Sequence, residues 1–281
     1  ELIDGDVFIN DKLAHKTPDA QRSLWFPYYN HDYRPQSSSQ RSDYHPRWVR
    51  LDQSEGWSGL DTRVLRFDGA KTPRGELQFC TDPRNPREPG HIQDFYAYNE
   101  PHVEITPRVV TDVRLSAEVT LEGGTGYVEL STSKGPHRFF ARLTANGVLQ
   151  LQHNLTGENL DDVATARELW NQAQVSVGAR PVRLALSHLD GVVSIEVDGQ
   201  AVLESTSVQY EIRPDTAVPA ARHPVLRMAA ENVQASLRHV LIERDVYYTS
   251  DIHLVYNRPG IAVQGNPLQL GPDAYFMLGD N

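Results

Sequence analysis

The stretch Val182-Arg183-Leu184-Ala185-Leu186-Ser187-His188-Leu189-Asp190-Gly191-Val192-Val193-Ser194-Ile195-Glu196-Val197-Asp198-Gly199-Gln200-Ala201-Val202-Leu203 decides the fold. Three runs rich in branched aliphatic residues are separated by two Asp-Gly pairs. Asp and Gly tolerate the positive φ of the tight turns that join antiparallel strands. The stretch therefore predicts three strands in an up-and-down unit.

The same grammar extends outward. Val113-Arg114-Leu115-Ser116-Ala117-Glu118-Val119-Thr120-Leu121 alternates apolar and polar residues, the period-2 signal of a half-buried strand whose odd positions face a core. Gly123-Gly124 breaks it, and Tyr127–Leu130 and Phe139–Leu143 follow at the spacing of an antiparallel meander. Asn146-Gly147 before Val148-Leu149-Gln150-Leu151 signals a hairpin with a two-residue type I′ turn. Asp161 to Gln172 is expected to be a helix, with acidic residues at its start and good helix formers behind them. Ala235 to Glu243 alternates again.

Short strands punctuated by turns, with little helix, predict an all-β chain built as a β-sandwich. The arginine/leucine strand, the Asp-Gly turn and the V-x-V-D-G-x-x-V hairpin of Arg183 to Val202 resemble a concanavalin-like or laminin-G-like jelly roll, over residues 48–243. That fold hosts lectins, glycosidases and adhesion modules alike, so it does not name a function.

The two ends carry a different resemblance. Tyr275-Phe276-Met277-Leu278-Gly279-Asp280-Asn281 is similar to the last conserved box of type I signal peptidases, the membrane-bound Ser/Lys proteases that remove signal peptides. Leu2-Ile3-Asp4-Gly5-Asp6-Val7-Phe8-Ile9-Asn10-Asp11 resembles the strand and turn that follow the family's lysine box. The resemblance covers residues 1–34 and 244–281, with 35–47 read as a linker rich in Ser, Gln, Arg and Tyr. It implies a jelly-roll sandwich inserted into a small signal-peptidase-like β portion formed by both termini. Insertions succeed where the ends of the guest lie close together at the surface.

By that resemblance Tyr275, Phe276, Gly279, Asp280 and Asn281 support the backbone behind a Ser/Lys site and carry no catalysis themselves. The nucleophilic serine and general-base lysine are expected outside this chain. Lys12, Lys16, Lys71 and Lys134 are its lysines, and none precedes the family's G-x-P-G-D/E turn. Without nucleophile and base no hydroxyl can be activated, so the chain alone is expected to be inactive. The parent's expected partners are exported preproteins, and a membrane through its anchor. The expected location is the extracytoplasmic, periplasmic side of a bacterial inner membrane. The sandwich would be a recognition module for a glycan or protein ligand. Two readings stand beside this one: a free-standing carbohydrate- or protein-binding jelly roll, and a glycan hydrolase.

Bulk properties bound the rest. With 281 residues the chain can bury one large or two ordinary cores. Net charge is −10, with both signs interleaved, which argues against nucleic acid as a partner. Cys80 is the single cysteine, so no intrachain disulfide forms. No apolar run approaches the roughly 18 residues that span a bilayer.

The remaining candidates have plain alternatives. Glu196 and Asp198 lie on one strand face, as in the E-x-D-x-E strands of jelly-roll glycosidases, but Gln200 stands where the second glutamate belongs. Asp198 is also the natural first residue of an Asp-Gly turn. Asp161-Asp162 and Asp94 with Glu100 are carboxylates a calcium ion could use, without D-x-D-x-D-G spacing. His31, His45, His91, His102, His137, His153 and His188 lack the spacing of a helical zinc pair. No metal or cofactor is expected. Trp25, Phe26, Tyr28, Tyr29 and Tyr33 are dense enough to stack a ligand, or to pack where the two domains meet.

Overall fold

The computed structural model describes residues 2–3, 5–33, 45–51, 55–82, 91–94, 108–156, 166–178, 180–212, 224–246, 248, 262 and 266–275. The chain opens with β1 (Leu2–Ile3), β2 (Asp6–Ile9) and β3 (Lys12–Leu13), then α1 (Pro18–Leu24) and β4 (Phe26–Asn30). Next come β5 (Trp48–Arg50), β6 (Trp57–Ser58), β7 (Leu65–Asp68) and β8 (Arg74–Phe79). The largest part runs through β9 (Val113–Lys134), β10 (His137–Thr144), β11 (Val148–Leu155) and β12 (Glu168–Gln174). It closes with β13 (Val182–Leu189), β14 (Val192–Val197), β15 (Gln200–Glu204) and β16 (Arg227–Arg244).

The chain is an all-β jelly-roll sandwich organised by one long antiparallel pair. Strand β9 pairs with β16 along nearly its whole length, from Arg227↔Ser131 to Arg244↔Val113. Midway the pair turns over. Gly124 sits at φ +97°, and a Cβ on Gly126 would stand 1.6 Å from the Glu231 carbonyl oxygen, so only glycine lets the two backbones approach this closely. Register shifts at Glu231/Val233 and Gln234/Ala235 give β16 the matching bend.

Each half of the pair seeds one layer. Tyr127–Lys134 and Arg227–Glu231 lie in the order β12-β11-β10-β9-β16-β8-β5, the front layer. Val113–Leu121 and Val233–Arg244 are flanked by β13-β14-β15 on one side, and by β7-β6 and β4 on the other, the back layer. Between the layers Val113, Leu115, Ala117 and Val119 meet Phe139, Ala141, Leu143, Leu149, Leu151 and Met228 in one buried cluster. The odd positions of Val113–Val119 point inward as their alternation requires.

Four expectations are corrected. Residues 168–172 of the expected helix are the start of β12, and 161–165 lie outside the described residues. The described α-helix is α1, capped by the Thr17 hydroxyl accepting from the Ala20 N–H at 3.3 Å, with proline in its first turn. At Asn146-Gly147 only Gly147 has positive φ, +84°, so this hairpin turns through three residues rather than a two-residue type I′ loop. Both Asp-Gly turns do carry positive φ at each residue: Asp190 +45° and Gly191 +72°, Asp198 +51° and Gly199 +82°.

The fourth correction concerns the boundary at residue 34. Phe26–Asn30 pairs with Leu241–Arg244 and so belongs to the sandwich. Among the described residues β4 pairs with β16 alone, an edge position where Pro27 is tolerated. The expected linker lies mostly outside the described residues. Ahead of β4, β1-β2-β3 form a separate three-stranded sheet. The Leu2 N–H donates to the Ala262 carbonyl at 2.7 Å, so the chain that leaves the sandwich returns to this N-terminal sheet.

Candidate functional site

The face of the front layer that points away from the core is unusual. Outward positions of an antiparallel sheet are normally wet, yet Glu129, Ser131, Ser133, Gln78 and Asn154 are buried there, as are Arg138, Phe140 and Arg227. Register explains their meeting. Arg138 lies opposite Asn154 and Ser133, Phe140 opposite Gln152 and Ser131, and Arg142 opposite Gln150 and Glu129. Arg227 pairs with Ser131 on one side and Gln78 on the other, while Glu76 lies opposite Ala229.

Of this face, Glu76, Arg138, Phe140, Arg142, Asn154 and Arg227, with Arg74 and Arg167, line a cleft of about 400 Å³, within the usual range for a ligand site. Glu76 Oε1 takes Arg138 at 2.9 Å and Arg227 at 3.6 Å, and its Oε2 takes Arg74 at 3.8 Å. Glu129 Oε2 takes Arg142 at 2.8 Å and Arg167 at 2.6 Å. Among the described residues, five guanidiniums thus gather around the carboxylates of Glu76 and Glu129 in a chain of net charge −10.

Its electrostatics show the crowding. Burial, then the neighbouring Arg227 charge, holds Arg138 below its ordinary value. Burial, then the Glu129 charge, pushes Tyr127 up to about 12. Arg138 Nε, Asn154 Oδ1 and Gln152 Oε1 are buried without a hydrogen-bond partner. Buried polar atoms left unpaired cost free energy unless something else satisfies them. Phe140 is not an open platform, because the Arg167 guanidinium stands 3.7 Å from its ring centroid.

A second cluster sits at one end of the sandwich. Lys134 Nζ lies 2.6 Å from Asp112 and 3.4 Å from Asp6, and Lys16 Nζ lies 2.7 Å from Asp190 and 2.8 Å from Asp245. Asp112 also meets His188 Nδ1 at 2.9 Å and accepts the Asp190 N–H at 2.9 Å. The carboxylates of Asp6, Asp112 and Asp190 approach within 4.8 Å of one another, a spacing that could suit a metal ion. Here lysine ammoniums and a backbone amide engage their oxygens, so the arrangement acts as an ion-pair latch. It fastens β2 and the segment after β3 to the sandwich, and Leu13 packs against the Asp190-Gly191 turn.

Inside that end, His137 Nδ1 and His153 Nε2 are 3.0 Å apart. Phe139, Trp170, His188 and Tyr210 stack around them. Burial, then the His153 and His188 charges, holds His137 down at about 4. Neutral imidazoles can share one hydrogen bond, so the pair suits an interior cluster.

Of the residues singled out in the sequence, His137, His153 and His188 meet at this end of the sandwich, and the others do not converge on the cleft or the latch. Tyr275 is exposed, while Phe276, Gly279, Asp280 and Asn281 lie outside the described residues. Glu196 pairs with Arg114 at 2.7 Å on the outer side of the back layer. Asp198 occupies the turn and accepts the Arg183 N–H at 3.0 Å. The glycosidase pair is therefore not assembled there, and the turn reading holds. Asp94 accepts the Arg108 N–H at 2.6 Å, while Glu100, Asp161 and Asp162 lie outside the described residues. Tyr28 and Tyr29 pack on Phe79 at the sandwich edge, whereas Phe26 and Tyr33 are exposed. No described helix is long and apolar enough to cross a membrane.

No protein-family model matches the chain, and no curated protein matches it in sequence. Similar solved structures include the carbohydrate-binding module CBM66 from Bacillus subtilis, at 12% identity and TM-score 0.40, covering 70% of this chain and 95% of that one. A Bacillus licheniformis beta-glucanase aligns at 9% identity and TM-score 0.42, over 73% and 95%. SCLam, a non-specific endo-beta-1,3(4)-glucanase from family GH16, aligns at 9% and 0.45, over 79% and 92%. Likenesses at this level carry no argument about ligand or activity.

Proposed function

We propose that the chain is a non-catalytic recognition module whose arginine-lined cleft on the front layer binds a saccharide. The observation that carries this reading is the set of buried, unpartnered polar atoms on Arg138, Gln152 and Asn154, on a sheet face that should be wet. A sandwich stabilised for its own sake would leave such atoms to water. Among the described residues, Glu76 of the cleft and the adjacent Glu129 are already clamped by guanidiniums, which suits holding a ligand better than cleaving one. The purified chain on an array of neutral and acidic glycans should give saturable binding without release of reducing ends. An array with no bound glycan would refute the reading.

A second reading concerns what carries the module. The Leu2–Ala262 and Tyr248–Gly5 backbone contacts, at 2.7 and 3.4 Å, favour a body built from both ends of the chain, with the sandwich as its guest. We propose that this body is signal-peptidase-like, anchored through its parent on the extracytoplasmic side of a membrane. The encoding gene tests it: a lysine box ahead of Glu1 and Ser-x-Asp-Ser-Arg after Asn281 are expected, and their absence would refute it.

A further inference from the structure

The histidine cluster at the end of the sandwich offers a different chemistry from the cleft. His137 on β10 and His153 on β11 are diagonal neighbours on one face, because His153 lies opposite Phe139 and His137 opposite Leu155. His137 Nδ1 and His153 Nε2 converge to 3.0 Å. Two imidazole nitrogens bound to one ion at about 2.0–2.1 Å stand roughly 3 Å apart when the angle at the metal is about 90–100°. The gap therefore fits a shared metal ion as well as a shared proton. The pair joins two strands, so no local spacing announces it.

The surroundings favour the ion. Burial holds both rings below their ordinary value, and neutral imidazole is the form that binds a metal. His137 is half-buried, so the pair reaches solvent on one side, while the His153 ring stacks on Trp170 at 4.4 Å. Phe139 and Tyr210 pack against both His137 and His188, which places a third histidine in the same cluster. His188 Nδ1 donates to the ionised Asp112, so its Nε2 is a buried lone pair with no donor among the described residues. Water carried by a metal ion is a donor of the kind that this lone pair lacks.

We propose that His137 Nδ1 and His153 Nε2 bind one first-row transition-metal ion, Cu(II) or Zn(II). Among the described residues no third histidine, cysteine or carboxylate lies at ligand spacing from both, so water fills the rest of the shell and the ion is exchangeable. Asp6, Asp112 and Asp190 do have metal spacing, but Lys134 and Lys16 hold them.

Calorimetric titration of the whole chain with Cu(II) alone and with Zn(II) alone tests this. One equivalent should bind, Cu(II) more tightly than Zn(II), and EDTA should reverse both. Bound Cu(II) should quench the fluorescence of Trp170, and its electron paramagnetic resonance spectrum should show coupling to two imidazole nitrogens. His137→Gln and His153→Gln, each checked by its melting curve, should each weaken binding about tenfold or more, since even an outer partner of a ligand typically contributes about 10–100-fold. His239→Gln, at an exposed histidine, should leave binding unchanged. Several equivalents without a distinct first site, or unchanged affinity in both folded variants, would mean an adventitious ion only and overturn the site. No binding, or copper bound to the unmodified chain without two imidazole nitrogens, would overturn it whether or not the variants fold.

Discussion

Replacing Lys134 with methionine should cost far more than a surface charge would. Lys134 is held well above its ordinary value by Asp112 and then Asp6, against the opposing pull of its own burial. Asp112 is held far below the usual carboxylate range, because Lys134 and then His188 outweigh burial. Both groups therefore stay charged at neutral pH. Removing the ammonium takes the opposing charge from two buried carboxylates, and breaking a buried pair from one side typically costs about 3–5 kcal/mol. With a urea slope near the upper end of about 1–3 kcal/mol/M, the midpoint should fall by roughly 1–2 M. Urea titrations followed by fluorescence and by far-UV circular dichroism measure it, and agreement of the probes checks that one transition is observed. The double variant Lys134→Met with Asp112→Asn should recover part of the loss, since it leaves less unbalanced buried charge. A loss under about 1 kcal/mol, or a double variant as weak as the summed singles, would refute the latch.

Other outcomes follow from the same physics. His137 is held down at about 4 against a model-peptide value near 6.5, so the folded state binds fewer protons between those values. Its contribution is complete above pH 6.5 and is lost as pH falls toward 4; His137→Asn should flatten that part of the stability curve. Asp245 is the opposite case, pushed up to about 6 mainly by burial against the pull of Lys16. Its protonated form stabilises the fold below about pH 4, and that contribution is lost as pH rises through 6; Asp245→Asn should remove this decline in urea midpoints taken from pH 4 to 7. Gly126→Ala would place a methyl 1.6 Å from the Glu231 carbonyl oxygen and force β9 and β16 apart. It should cost about 3 kcal/mol or more in thermal or urea unfolding, above the usual range for overpacking.

The sandwich was largely legible because its strands state their period. Val113–Leu121 and the two Asp-Gly turns give alternation and turn chemistry within short windows. The error at Asp161–Gln172 has a physical cause. Most of β12 is exposed, so its residues feel little of the burial that imposes alternation, and Ala, Glu and Leu read as helix formers. Helix α1 carried a readable cap in Thr17-Pro18-Asp19, but seven residues give too few turns for a periodic signal. The two aromatic-rich tyrosines of β4 gave no hint that this segment completes the back layer, since pairing with β16 spans more than two hundred residues of chain.

The cleft was not legible as a site. Its arginines come from β8, β10, β16 and the approach to β12, and no local motif joins Arg74 to Arg227. One trace existed. Phe139 and Phe140 are adjacent, so in a strand one must face away from the core, and arginines flank it at 138 and 142. An aromatic residue forced outward between two cations marks a covered face, but which strands cover it depends on register.

The most direct test of the account is an amide chemical-shift map of the isotope-labelled chain titrated with the tightest-binding glycan of the array. Shifts should concentrate at Arg138, Phe140, Arg142, Asn154 and Ala229, on the outer face of the front layer, and saturate together. Shifts confined to the back layer around Arg114 and Glu196, or to the His137–Tyr210 end, would contradict it.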